Sequence, residues 1–493
     1  MQGALEELLR ALSKNCWMTQ RLYHSATAPL NWRWMWERHL SLQETILETI
    51  VEQQLRLGVR QSMLDQSRRP GRTELRLTSG PMLHSVRLSE PRRSGYDRFS
   101  RPNTMKTAFT AARLYTPVEE IQNPLLVVED GRISAVSSRA TKEVPARTPL
   151  VDFGDAVLAP GFVDIHMHGG AGLDLMRAMP TELPRLGEFL TAHGVTGYFA
   201  TTVAAPLDAT CAALGRLADS IEAAATPANG DPVQARPLGI HLEGPFLSHK
   251  RRGVHPPENL LAPTLEIFDR LWQAARGHVR MLTIAPEIPG AMEVIAEAAK
   301  RKVCVSIGHS DAEMPVAQAA VKAGARHATH TFNAMRPLDH RDPGIIGEVL
   351  SDDRLSADII VDGIHLAPAV VKLFLRAKGR ERAVLITDAI SATGMPDGRY
   401  QLGPIEVDVK DGKCTSNGSL AGSVLTMDRA VRNVTKFSNW SLRDAVQAAT
   451  LNPARAVGLS AHHGILAKGA VADFTVLGPA GEVLKTIVHG RGF

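Results

Sequence analysis

The chain has 493 residues, 44% hydrophobic and 22% charged, a composition that excludes wholesale disorder. Length alone predicts about three domains, or two folded units if one is a (β/α)8 barrel. The net charge of +5 is unevenly spread: residues 1–104 carry 16 Lys and Arg against 10 Asp and Glu, residues 105–493 carry 40 against 41, and this near-neutral body argues against nucleic acid as its substrate.

Residues 1–104 stand apart in other ways. They hold four of the six tryptophans, with helical apolar spacing over 4–12 and 40–57 and an Arg-, Ser- and Pro-rich stretch from Arg68 to Asn103 that reads as linker or disorder. Glu6 and Glu7 stand where a secretory signal needs basic residues, and no run of 18 apolar residues follows anywhere, so a cytoplasmic protein with no membrane span is predicted. Cys16, Cys211, Cys304 and Cys414 form no C-x-x-C pair, which argues against a disulfide framework or a zinc knuckle. The segment reads as a basic extension of unassigned function: an arm for nucleic acid or a partner, an appendage without function, or sequence ahead of a natural start at Met105, where MKTAFTAARLYTP resembles an ordinary folded-protein N-terminus.

From Met105 the texture changes. LLVVE and RISAV read as strands joined by a tight turn at Asp130-Gly131. AVLAPGFVDIHMH reads as one strand and TELPRLGEFLTAHG as a helix ending at Gly194. VTGYFATTVA, PLGIHLEGP, VRMLTIAPE, KVCVSIGHS, HATHTFNAM, LSADIIVDGIH and AVLITDAI follow as strands, most with a helix between. Such β-then-α units predict a (β/α)8 TIM-like barrel over about 160–459, because no G-x-G-x-x-G or P-loop follows any strand to favour an open sheet. The Gly-punctuated tail pairs with 105–159 as a small β-sandwich domain built from 105–159 and 460–493.

Fifteen of the 18 histidines follow residue 105, several at strand ends. A barrel builds its active site at the C-terminal ends of its strands. His166 and His168 end the first barrel strand, and a period of two points both rings to one face, a ready chelate. Glu243 lies at a strand end before Gly244-Pro245, His309 closes VSIGHSD, His330 closes HATH, and Asp388 closes the apolar AVLITDAI. Each alone is ordinary; together they point to a metal hydrolase. His327 reads as structural.

These residues carry a resemblance. PGFVDIHMHG, HLEGPFL, RGVHPPE, TIAPE, IGHSDA, ATHTFNAMRPL, RDPGI, VDGIHL, LITDAISATG, NGSLAGSVLTM and ATLNPARAVGL resemble, in order, the motifs of the amidohydrolase superfamily and, within it, the N-acetylglucosamine-6-phosphate deacetylase family, over about 106–493. Residues 1–104 have no counterpart there. The resemblance implies hydrolysis of the N-acetyl group of N-acetylglucosamine 6-phosphate, in amino-sugar catabolism. It implies a main metal site of Glu243, His309 and His330, and a second site at His166 and His168 in members that keep that pair. It makes Asp388 the general base and acid and His255 the group that polarises the carbonyl. Asn333, Ala334 and His365 would contact the sugar phosphate, and Arg341 would reach across a homodimer to the partner's site. One or two divalent ions per subunit are implied, and such ligands suit Zn, Fe, Mn or Co.

Three other readings stay open. The epimeric N-acetylgalactosamine 6-phosphate differs little as a substrate. A cyclic-amide amidohydrolase commonly bridges its metals with a carboxylated lysine, and GIHLEGPF holds none. From another class, the basic first hundred residues would suit a nucleic-acid-binding regulator with a retired barrel, against which the intact ligand set speaks.

Overall fold

The computed structural model describes residues 106–225 and 232–493. The readings for residues 1–104 lie outside these.

Two sheets gather the beginning and the end of this region. β1 (Lys106–Thr110), β4 (Pro124–Glu129), β5 (Arg132–Ser138) and β6 (Leu150–Asp152) form one, in the order β5-β4-β1-β6. Its β4–β5 turn is at Asp130 and Gly131, whose φ values of 50° and 74° are those a type I′ hairpin turn requires. β2 (Arg113–Tyr115), β3 (Glu120–Gln122) and β7 (Val157–Pro160) join β22 (Phe474–Leu477) and β23 (Val483–Ile487) in the second, ordered β23-β22-β7-β2-β3. Phe109 and Phe474 meet edge to face at 5.0 Å in a shared apolar core.

The stretch expected to be one strand breaks in two. β7 pairs with β22, while β8 (Phe162–Met167) pairs with β11 (Val195–Thr202). Gly161 makes the step between them: its N–H donates to Asp473 O, and a Cβ there would stand 2.2 Å from Thr196 Oγ1. A short pair, β9 (Gly169–Gly170) and β10 (Leu173–Asp174), follows β8.

The centre is α/β. Parallel strands β8, β11, β12 (Arg236–Glu243), β13 (Val279–Ile284), β14 (Cys304–Ile307) and β15 (His327–Ala328) form a six-stranded half-barrel in that order, and β16 (Ala357–Ile360) and β17 (Ala383–Ile386) form a parallel pair. Thr331 N–H donates to Asp358 O across β15 to β16, and Asp388 N–H donates to His166 O across β17 to β8. Strand neighbours therefore run β8, β11, β12, β13, β14, β15, β16, β17 and back to β8. β14, β16 and β17 are buried on both faces, which is why they read as unbroken apolar runs.

Helices α1 (Leu183–Ala192), α2 (Leu207–Ala224), α3 (Leu265–Ala274), α4 (Ala291–Lys300), α5 (Met314–Ala323), α6 (Gly344–Ser351) and α7 (Pro368–Arg382) alternate with the strands. α3 shows the local logic: Thr264 caps it by accepting from Ile267 N–H, while Phe268 and Leu271, one turn apart, are buried. Between β17 and α8 (Met427–Phe437) lies an antiparallel insert that sequence patterning did not predict: β18 (Gly398–Leu402), β19 (Ile405–Lys410), β20 (Lys413–Ser416) and β21 (Ser419–Leu420). In β19 buried Ile405, Val407 and Val409 alternate with exposed residues, and this face packs on Val203 and Ala205 beyond β11.

Candidate active site

His166, His168, Glu243, His255, His309, His330 and Asp388 are all buried, and all seven side chains meet at the C-terminal ends of the parallel strands. Three of them, His309, His330 and Asp388, follow their strands by two residues and have left-handed backbones, with φ of 46°, 28° and 51°. Non-glycine residues held there cost of order 1–3 kcal/mol each and cluster at functional sites. Backbone contacts hold two of them in place: His330 N–H donates to Asp358 Oδ1 on β16, and Asp388 O accepts from Ser423 N–H in the segment after β21.

Glu243 Oε1 lies 3.2 Å from His309 Nε2 and 3.0 Å from His330 Nε2, and those two nitrogens are 3.0 Å apart. This is close to the roughly 3.3 Å that ligands of a tetrahedral ion with bonds near 2.0 Å keep from one another. A second set stands beside it. His166 Nε2 and His168 Nε2 are 3.3 Å apart and lie 3.5 and 3.1 Å from Asp388 Oδ1. Glu243 joins the sets, with Oε1 3.4 Å from His166 Nε2 and Oε2 3.3 Å from His168 Nε2.

Tautomers sort potential ligands from donors. His309 Nδ1 faces Arg251 O at 2.9 Å and His168 Nδ1 faces Thr201 O at 3.3 Å. A carbonyl only accepts, so both rings carry the proton on Nδ1 and aim an Nε2 lone pair into the site. His255 is the reverse. Ala204 N–H donates to its Nδ1, which leaves the proton on Nε2, 3.5 Å from Glu243 Oε2. Distance alone groups Glu243, His255 and His309 as one ligand set. Hydrogen bonding makes His255 Nε2 a donor rather than a lone pair, whereas His330 Nε2 lies 3.0 Å from both Glu243 Oε1 and His309 Nε2.

The electrostatics show how much negative charge the carboxylates bring to this centre. Burial disfavours charge on His168 and His330, yet Asp388 and Glu243 carry His168 up to about 10, and Glu243, with charge from Asp388, carries His330 up to about 9. Burial would raise Glu243, but His166 and the surrounding imidazoles hold it well below the usual carboxylate range. His309 goes the other way, pushed down to about 4 chiefly by burial. These carboxylates call for positive charge among them, and a divalent cation suits a cluster of inward lone pairs better than a crowd of protons.

Comparison with known proteins bears directly on this geometry. The model of the amidohydrolase family matches residues 157–492. The chain belongs to the amidohydrolase family. This amidohydrolase is 37% identical over 379 residues to an N-acetylglucosamine-6-phosphate deacetylase of Bacillus subtilis, covering 77% of this chain and 94% of that one. It is 35% identical to an N-acetylgalactosamine-6-phosphate deacetylase of Escherichia coli, covering 78% and 99%. The crystal structure of the N-acetyl-D-glucosamine-6-phosphate deacetylase of Mycobacterium smegmatis superposes with a TM-score of 0.72 at 36% identity, covering 78% and 99%.

The site of this amidohydrolase opens into a cavity of about 180 Å³, which Asn333, Ala334 and His365 line together with His168, Glu243, His255, His309, His330 and Asp388. Arg341 does not line it: it is exposed in a loop, where its N–H donates to Asp339 Oδ1. Sequence reasoning missed the polar groups behind the site. Asp362 accepts from both the backbone and Nδ1 of His365, and Asp164, pushed up to about 6 by burial, accepts from the Thr387 hydroxyl. His327 Nε2 lies 2.8 Å from Asp358, whose other oxygen takes the His330 N–H. His241, two residues before Glu243, sets its ring edge to face on His166 at 4.6 Å. Its i, i+2 spacing from Glu243 on one strand was the available signal. Among the described residues no helix is long and apolar enough to cross a membrane.

Proposed function

We propose that this amidohydrolase hydrolyses the N-acetyl group of N-acetylglucosamine 6-phosphate, giving glucosamine 6-phosphate and acetate. The observation that carries the reading is the division of labour among the imidazoles. His309 presents a lone pair beside Glu243 and His330, while His255 presents an N–H to the same cavity.

Glu243, His309 and His330 would hold the main divalent cation, and His166 and His168 a second. A divalent ion so held lowers the pKa of water and polarises an amide carbonyl. Asp388 takes the proton of the attacking water on its carboxylate and returns it to the departing nitrogen, because a protonated amine leaves where an amide anion does not. His255 Nε2–H donates to the carbonyl oxygen as negative charge grows there. Asn333, the Ala334 backbone and His365, lining the same cavity, hold the sugar phosphate and place the acetamide over Asp388. Arg341 reaches the phosphate of the partner's site in a cytoplasmic homodimer; a planar guanidinium suits bidentate phosphate binding.

The scaffold for this chemistry is a closed (β/α)8 barrel over 160–459 and a small β-sandwich domain from 105–159 and 460–493, supported by the return of strand neighbours to β8 and by β22 pairing with β7. Acetate release from N-acetylglucosamine 6-phosphate, with metal analysis of the same preparation, tests the reading. Faster turnover of the galactosamine epimer, the substrate named for the Escherichia coli relative, or of dihydroorotate would replace it.

A further inference from the structure

The cavity has two unlike walls. In the order of strand neighbours β11 stands four places from β15, and β12 four places from β16. The loops after β11 and β12, carrying Val203 and Val254, therefore face those after β15 and β16, carrying Asn333 and His365, and all four residues line the cavity. Behind Val203 stands the β18–β19 turn. Gly403 (φ 55°) donates its N–H to buried Asp174 Oδ2 at 2.7 Å, and a Cβ on it would lie 2.4 Å from Val203 Cγ2. This pins Leu402 and Ile405, which flank the turn, into one apolar cluster with Val203, against which Val254 packs. Leu402 and Ile405 also line the cavity.

We propose that Val203, Val254, Leu402 and Ile405 form the subsite for the acyl group and set the length of acyl chain the enzyme removes. The inference rests on the deacetylase reading above. An amide carbon is trigonal, so its oxygen, nitrogen and acyl carbon diverge in one plane. With the oxygen at His255 and the nitrogen's sugar extending toward Asn333 and His365, the acyl carbon faces the β11–β12 wall. The carbonyl anchor belongs to that wall, since His255 follows Val254 and its Nδ1 accepts from Ala204 N–H, next to Val203. In the reaction the C–N bond breaks, a C–O bond forms from water, and the water's protons end on the amine and in solution, leaving a carboxylate that departs from the apolar side. An apolar wall rewards a methyl group and penalises a polar acyl group, whose hydrogen bonds to water it cannot replace.

The test uses the metal-loaded full chain and the N-formyl, N-acetyl, N-propionyl and N-butyryl derivatives of glucosamine 6-phosphate. A methylene of misfit in an apolar pocket is worth about 10–200-fold in kcat/KM. Wild type should fall by such a factor for each carbon beyond acetyl. Ile405→Ala should raise the butyryl-to-acetyl ratio at least about tenfold. Val254→Ala, at a half-buried loop position, should raise it by a smaller step, and Val254→Phe should favour formyl over acetyl. Asn333→Ala should raise KM for every acyl derivative alike. Acetate release with an acyl preference unchanged in Ile405→Ala and Val254→Ala overturns the subsite alone. A metal-loaded wild type that releases no acetate overturns the deacetylase reading and the subsite with it.

Discussion

Asp388 Oδ1 lies 3.1 Å from His168 Nε2, while the Asp388 backbone N–H donates to the carbonyl of His166. One residue thus closes β17 onto β8 through its backbone and meets the H-x-H pair through its carboxylate. Replacing the carboxylate leaves the backbone contact in place. Asp388→Asn should therefore keep the fold, the metal content and the KM, and lose turnover by at least about 100-fold, the size of a general acid–base contribution. Near-normal kcat would remove Asp388 from the mechanism.

Glu243 would be the shared member of the two proposed ligand sets, since it lies against His309 and His330 through Oε1 and His168 through Oε2. Glu243→Ala should cost the protein its bound metal altogether. The double variant His166→Asn/His168→Asn should lose no more than one equivalent. Elemental analysis after dialysis reads both, and full metal content in Glu243→Ala would contradict the proposed ligand set.

Arg341 is exposed and does not reach the cavity of its own chain. In a homodimer sharing sites, Arg341→Ala should raise KM for the phosphorylated substrate strongly and alter activity on unphosphorylated N-acetylglucosamine little. Mixing inactive Asp388→Asn subunits with Arg341→Ala subunits should restore sites that have an intact Asp388 and a partner's arginine. A fully active monomer, or mixed dimers without recovery, speaks against this arrangement.

Asp473 joins the chain's end to β12: its Oδ2 lies 2.9 Å from Arg236 Nη2 and its Oδ1 accepts from His489 N–H. Burial would raise its carboxyl, but the Arg236 guanidinium, the His463 imidazole and the His489 N–H together hold it below the usual range. The sign follows: the folded value lies below the unfolded one, so the contribution is complete above about pH 4 and is lost as pH falls through the folded value. Asp473→Asn should cost about 3 kcal/mol at neutral pH, since it leaves the mostly buried Arg236 guanidinium without its carboxylate. Urea denaturation should show the gap to wild type shrinking toward about pH 3, below the unfolded carboxyl value. A gap independent of pH would mean that packing, not charge, fixes the effect.

Local patterning determined much of this. A period of two is enough to put His166 and His168 on one face, apolar runs of four to eight residues mark strands buried on both sides, and Asp130-Gly131 can hardly be other than a tight turn. Strand-end positions singled out Glu243, His309, His330 and Asp388 because a parallel strand delivers its last residues to the same end as its neighbours. What local patterning could not supply is whatever depends on a partner distant in the chain. The proton position on His309 is decided by the carbonyl of Arg251, and that on His255 by the N–H of Ala204. Asp164, Asp358 and Asp362 look like ordinary acids until folding buries them against Thr387, His330 and His365. The strand break at Gly161 follows from two sheets competing for one apolar run, and the wall of Leu402 and Ile405 from an insert pinned to Asp174 more than 200 residues away. Periodicity reports which face of an element is apolar; only the packed fold decides what that face meets and therefore where each proton and charge resides.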